Sequence, residues 1–151
     1  MNIGDICKHN VVTARPADDL IKAAQLMRSK HVGYLIVVEP EVEESSFRPI
    51  GVLTDRDIVI EVVAGGADPK ALTVGDAMTE QPVTVADTSS ITVALTEMRR
   101  IGVRRLPVVG HRGQLVGIVS LDDIIDNLAL ELQNVAGSIR NEQSIEGALR
   151  T

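Results

Sequence analysis

Apolar positions recur along the chain at two periods, and the switches between them divide it into elements. Leu20, Ala23, Ala24 and Met27 fall at i, i+3, i+4 and i+7, as do Ile91, Ala94, Leu95 and Met98, the stripe of a helix that buries one face. Each stripe leads into a β-rich apolar run, 32–38 and 103–109, and then a second one, 50–53 and 116–119, which read as the two arms of a hairpin. A further helix is expected from Thr54 and from Ser120, with Ile58, Val59, Val62 and Val63 on one face of the first and Ile124, Ile125, Leu128 and Ala129 on one face of the second. Gly65-Gly66 stops the first of these. Its counterpart continues the seam through Leu132, Val135 and Ile139, where the helix is expected to end and a mobile tail to begin.

The two halves are copies of one another. Ile3-Gly4-Asp5-Ile6 lines up with Val74-Gly75-Asp76-Ala77, Val12-Thr13 with Val83-Thr84, and Gly51-Val52-Leu53-Thr54 with Gly117-Ile118-Val119-Ser120. The copies differ in length only in segment 39–49, which shrinks to the turn at Gly110-His111-Arg112-Gly113 and is therefore read as an exposed loop. Each half is thus strand, helix, strand, strand, helix, too small at about 60 residues to cover its own sheet. The expected fold is α/β: tandem β-α-β-β-α repeats, 1–66 and 67–130, packed sheet to sheet about a pseudo-two-fold axis, with 131–151 as a helical or mobile tail.

Composition narrows the function classes. The net charge of -6 repels a phosphate backbone, and Tyr34 and Phe47 are the only aromatics among 151 residues, so a nucleic-acid partner is not expected. The longest apolar run, 32–38, falls far short of the ~20 residues a bilayer helix needs. Met1 to Asp5 carries neither a basic start nor an apolar stretch, and one cysteine, Cys7, cannot close a disulfide within the chain; no membrane association and a cytoplasmic location are the expectation. Cys7 and His9 lack a second ligand pair, and His31 and His111 sit in unrelated segments, so no metal site is expected. No nucleophile elbow, phosphate loop or paired-histidine motif is present.

What remains is a duplicated junction. Gly51-Val52-Leu53-Thr54-Asp55-Arg56-Asp57 and Gly117-Ile118-Val119-Ser120-Leu121-Asp122-Asp123 both read Gly-apolar-apolar-(Thr/Ser)-x-x-Asp where a strand meets a helix. A capping box alone explains the hydroxyl and the carboxylate three residues on. The same groups also suit a ligand: amides and a hydroxyl at a helix start hold phosphate, and a carboxylate accepts from two ribose hydroxyls. Glycine at the strand would let base or sugar approach the backbone. Paired catalytic carboxylates, Asp55 with Asp57 or Asp122 with Asp123, are the less favoured reading, because acidic residues belong at helix starts for dipole reasons.

Over residues 1–130 the chain resembles the tandem cystathionine-beta-synthase (CBS) domain pair, or Bateman module. The resemblance rests on the duplication, both Gly-x-x-(Thr/Ser)-x-x-Asp segments, the entry motifs Gly4-Asp5-Ile6 and Gly75-Asp76-Ala77-Met78, and Val103-Arg104-Arg105-Leu106-Pro107-Val108-Val109. It implies a regulatory module without catalytic activity or required cofactor, sensing AMP, ADP, ATP, S-adenosylmethionine or a similar adenosine ligand between the repeats. It implies that Asp57 and Asp123 hold ribose, Thr54 and Ser120 phosphate or ribose, and that Thr13, Ala14, Thr84 and Val85 line the adenine pocket. Val32 and Val103 would close it. The first half departs from the pattern: Gly33-Tyr34 stands where the second has Arg104-Arg105, so Tyr34 would partly fill that cleft and Arg56 supply its charge. The second cleft is accordingly expected to hold a phosphorylated ligand more tightly. A homodimer acting on an effector protein is expected, and the alternative function is a homodimeric interaction scaffold with degenerate clefts.

Overall fold

A computed structural model describes residues 1–40 and 46–150. Helices α1 (Ile3–Ile6), α2 (Leu20–Lys30) and α3 (Asp55–Ile58) and strands β1 (Thr13–Ala14), β2 (Tyr34–Pro40) and β3 (Phe47–Thr54) come from the first half. The second half supplies α4 (Val74–Ala77), β4 (Thr79–Glu80), β5 (Val85–Ala86), α5 (Ile91–Ile101), β6 (Arg105–Val109), β7 (Leu115–Ser120) and α6 (Leu121–Leu149). Both expected stripes are helices. Asp19 starts α2 by accepting from the amides of Ile21 and Lys22, and Ser90 starts α5 by accepting from that of Val93. Both end on a left-handed residue, Gly102 in one copy and His31, at φ 54°, in the other.

The sheets are ordered β1-β2-β3-β4 and β5-β6-β7. In each, the short first strand runs parallel to the second, and the second and third form an antiparallel hairpin with one register shift. Strands β2 and β3 extend to Pro40 and from Phe47, so the expected loop is shorter than 39–49, and its central residues, 41–45, lie outside the described residues. Ile36, Val38 and Ile118 join Val11, Val52 and Leu115 in an apolar layer between the sheets. Apolar faces too large for one small half are covered by each other.

The entry segments are exchanged. Ile3 and Cys7 are buried in the second core with Val85, Ala94, Met98, Leu106 and Ile124, whereas Val74 and Ala77 are buried in the first with Leu20, Met27, Leu35 and Leu53. The contacts obey the pseudo-symmetry. The amides of Ile3 and Gly4 donate to the carbonyls of Ser89 and Asp87, and those of Val74 and Gly75 to Asp18 and Pro16. Lys8 bridges Ile118 of β7 as β4 pairs with β3.

This exchange explains two glycines. A Cβ on Gly117 would stand 2.6 Å from the Lys8 carbonyl oxygen and 2.8 Å from the Cys7 Sγ, and one on Gly51 2.6 Å from the Met78 Sδ. The space expected to admit a ligand is filled by the chain's own entry segments. The terminal helices differ too. From Val59 to Ala64 the first widens into a π-helical turn and stops at Gly65, while α6 runs unbroken to Leu149, well past the expected end at Ile139.

Candidate functional site

Both junctions form the capping box. Thr54 donates its amide to Asp57 Oδ2 at 2.8 Å and its Oγ1 accepts from the Asp57 amide at 3.1 Å. Ser120 does the same with Asp123, at 3.0 and 3.1 Å, and its hydroxyl also donates to Asp123 Oδ2 at 2.6 Å. In each copy the cap uses Oδ2 and leaves Oδ1 for another partner.

That partner differs between the copies. Asp123 Oδ1 lies 3.0 Å from Lys8 Nζ, with the carboxylate only 10% exposed. Lys8 arrives there because its backbone pairs in both directions with Ile118 at 2.9 Å. Thr79 takes the equivalent place beside Val52. No ammonium reaches the half-buried Asp57 from there, and among the described residues its Oδ1 has no hydrogen-bond or ion-pair partner.

Burial opposes ionisation of Asp123, but the bonds from Ser120 and Lys8 outweigh it and hold its carboxyl below the ordinary range; the same contact raises the Lys8 ammonium. The signs follow from linkage. The Asp123 contribution is complete above the ordinary carboxylate pKa and disappears as pH falls through the lowered one. The Lys8 contribution is complete below the ordinary lysine pKa and disappears as pH rises through the raised one. Asp123→Asn should therefore flatten the acid side of a plot of thermal midpoint against pH, and an unchanged acid slope would contradict this account.

The other expected residues divide into those at the surface and those sealed in the cores. Ala14 and Val85 are buried, one in each core, and Val32 packs against the first; Ala14 also lines a surface pocket with Ala17, Asp18 and Lys22 that includes neither capping aspartate. Thr13 is exposed and Val103 is 37% exposed. Thr84 lines a groove of about 350 Å3 with Arg48, Ile50, Gln81 and Val109, a groove that includes neither capping aspartate. Tyr34 packs against the layer between the sheets, and the Arg105 guanidinium lies over its ring, 4.8 Å from the centroid. These positions are equivalent in the two copies, and their side chains meet. Arg104 is exposed, 3.7 Å from the equally exposed Asp122 carboxylate.

Two participants escaped the sequence reading. Lys8 and Thr79 were legible only as a matched pair, each following its entry motif at the same distance. Asp55 lies against Gly33: a Cβ there would meet its Oδ2 at 2.7 Å, and the Asp55 amide donates to the Gly33 carbonyl at 2.9 Å, as the Leu121 amide does to Arg104 in the other copy. The Asp55 carboxylate also accepts from the Arg56 amide, while the Arg56 side chain is exposed. Cys7 is a buried thiol whose pKa burial pushes up, an unreactive setting, and no cluster of three or more metal-ligating side chains occurs among the described residues.

The CBS domain family model matches residues 3–64 and 74–130. The chain belongs to the CBS-domain family. It is 37% identical over 130 residues to hypoxic response protein 1 of Mycobacterium tuberculosis, covering 85% of this chain and 81% of that one. It is 33% identical over 125 residues to the protein MK0525 of Methanopyrus kandleri, covering 83% of this chain but 61% of that longer relative. Among solved structures, CBSX2 in complex with AMP superposes at a TM-score of 0.72 with 25% identity, over 87% of this chain and 98% of that one. Hypoxic Response Protein I, solved with two coordinated zinc ions, gives 0.71 and 35%, over 83% and 98%. This CBS pair has no helix among its described residues long and apolar enough to cross a membrane.

Proposed function

We propose that this CBS pair is a non-catalytic, cytoplasmic regulatory module that binds an adenosine-containing ligand between its repeats and works as a homodimer on an effector protein. One observation carries the reading: a duplicated helix start in which the cap consumes one carboxylate oxygen and, at Asp57, leaves the other without a partner. A half-buried carboxylate oxygen so placed gains from accepting a hydroxyl. Two vicinal ribose hydroxyls supply that, and the AMP complex of CBSX2 supports the choice of ligand class.

The geometry favours the first cleft, the reverse of the sequence ranking. At Asp57 a ribose meets an open oxygen; at Asp123 it must displace Lys8. Arg105 is engaged with Tyr34 and Arg104 lies 3.7 Å from Asp122, while Arg56 is an exposed cation beside the first junction. Thr54 and Ser120 would then face ribose or phosphate, with Thr13 and Thr84 presenting backbone and hydroxyl toward adenine.

The scaffold reading draws on the same two contacts, since Lys8 on Asp123 and Arg105 on Tyr34 already engage groups that a ligand would otherwise meet. Calorimetry with adenosine, AMP, ADP, ATP and S-adenosylmethionine separates the two. The ligand reading expects saturable binding in the micromolar range for at least one member, about -8 kcal/mol, with no turnover on prolonged incubation. Absence of heat for all five at millimolar concentration supports the scaffold, and conversion of any of them would restore the catalytic reading of the acidic helix starts.

A further inference from the structure

Lys8 and Thr79 occupy matched places with unlike chemistry. Each follows its entry motif at the same distance, Lys8 beside Ile118 of β7 and Thr79 beside Val52 of β3. The backbone of Lys8 is fixed: its amide donates to the Ile118 carbonyl and its carbonyl accepts from the Ile118 amide, both at 2.9 Å. That carbonyl packs so closely on Gly117 that a Cβ there would stand 2.6 Å away. The side chain is held differently. It is 70% exposed, and its ammonium reaches back to Asp123 Oδ1 at 3.0 Å, with Tyr34 and Asp126 adding to the field at that point.

The two ends of this ion pair stand in different surroundings. An exposed ammonium is readily rehydrated, so releasing that end costs little. The Asp123 carboxylate is only 10% exposed, and a charge so placed requires a partner. A ribose hydroxyl satisfies the carboxylate oxygen but leaves Lys8 without a counter-charge. A ligand with a phosphate at its 5′ position supplies both. Its hydroxyls and its phosphate hang on one sugar ring, and the flexible lysine stem can swing from carboxylate to phosphate while its backbone stays fixed.

The neighbouring cations are engaged elsewhere. Arg105 lies over the Tyr34 ring, and Arg104 is 3.7 Å from Asp122. We infer that Lys8 is the specificity-determining residue of the second junction: it occupies the ribose acceptor on Asp123 and yields it to phosphorylated adenosine ligands in preference to uncharged ones, moving from the carboxylate to the phosphate. The first junction, with Thr79 in the matched place, makes no such distinction through this position. The inference rests on the ligand reading above and adds to it which ligands each junction admits.

The test uses adenosine, 5′-methylthioadenosine and AMP, which share base and ribose and differ in charge at the 5′ position. Calorimetry is run on the full chain carrying Asp57→Ala, so that the second junction dominates binding. With Lys8 in place, AMP should bind about tenfold or more tightly than either uncharged ligand, the scale of one charge-assisted contact. Adding Lys8→Thr should bring that ratio to within about twofold, with both uncharged ligands binding more tightly than before. Lys8→Arg, which keeps the charge, should keep the preference. The thermal midpoint after Lys8→Thr should stay within about 3 °C, because the pair is exposed at its lysine end. A ratio indifferent to Lys8→Thr overturns the inference and leaves the ligand reading standing. Weaker AMP without any gain for the uncharged ligands overturns the exchange, since Lys8 would then touch phosphate without guarding the ribose acceptor. No heat from any of the three ligands, with Lys8 or without it, overturns the inference together with ligand binding at the second junction.

Discussion

Gly117→Val is expected to lower the thermal midpoint by roughly 6 to 12 °C, the equivalent of about 3 kcal/mol for a chain of this size. The strain has nowhere to go. A Cβ at 117 meets the Lys8 carbonyl at 2.6 Å and the Cys7 Sγ at 2.8 Å, and that carbonyl is fixed by the Ile118 amide. Relief requires the segment from Ile3 to Lys8 to lift off β7. Lifting it exposes Ile3, which is completely buried, and losing a buried Ile contact costs about 2 to 5 kcal/mol by itself. Gly51→Val provides the internal control. Its nearest obstacle is the Met78 Sδ, with the Thr79 carbonyl at 3.0 Å, and a flexible thioether can swing aside, so the fall should be about half as large. Differential scanning calorimetry on both variants decides it: a Gly117→Val midpoint within 2 °C of wild type, or a larger loss at Gly51, would contradict the exchange as the reason for the glycine.

Asp57→Ala is expected to weaken binding of an adenosine ligand ten- to a hundredfold, about 1 to 3 kcal/mol for ribose hydroxyls left without their acceptor. Asp123→Ala should weaken total binding less, because its Oδ1 already holds Lys8 and a ligand gains there only the difference between two partners. Both substitutions also remove half of a capping box and should cost about 1 kcal/mol of stability, so the comparison is made by calorimetry well below the melting midpoint. Asp57→Asn separates the two effects, since it retains an oxygen and the shape of the cap while losing the charge. Wild-type affinity in Asp57→Ala would reduce the junction to a cap, and a larger loss at Asp123 would restore the ranking inferred from Arg104 and Arg105.

That ranking shows what side-chain inventory omits. The second half carries the cationic pair, yet Arg105 is drawn across to Tyr34, its own counterpart in the first half, and the charge that reaches a capping carboxylate comes from Lys8. Neither contact is local: one spans the pseudo-axis, the other joins the amino terminus to the last helix.

The duplication, the α2 and α5 stripes, both hairpins and both Thr/Ser-x-x-Asp caps were legible in the chain itself, because each depends on a spacing of a few residues set by helix pitch, strand alternation or the reach of a cap. The α6 seam was legible in the same way, though not its full length, since Gly137, Asn141 and Gly147 lower propensity without breaking a helix. Only the tertiary structure decided which core each entry helix fills. Ile3-Gly4-Asp5-Ile6 and Val74-Gly75-Asp76-Ala77 present the same short apolar face, and the two cores offer the same kind of site, so nothing in the local pattern distinguishes keeping the segment from exchanging it. The exchange in turn sets Lys8 against Asp123 and Thr79 beside the first junction, and so makes two junctions that are nearly alike in sequence unlike in charge.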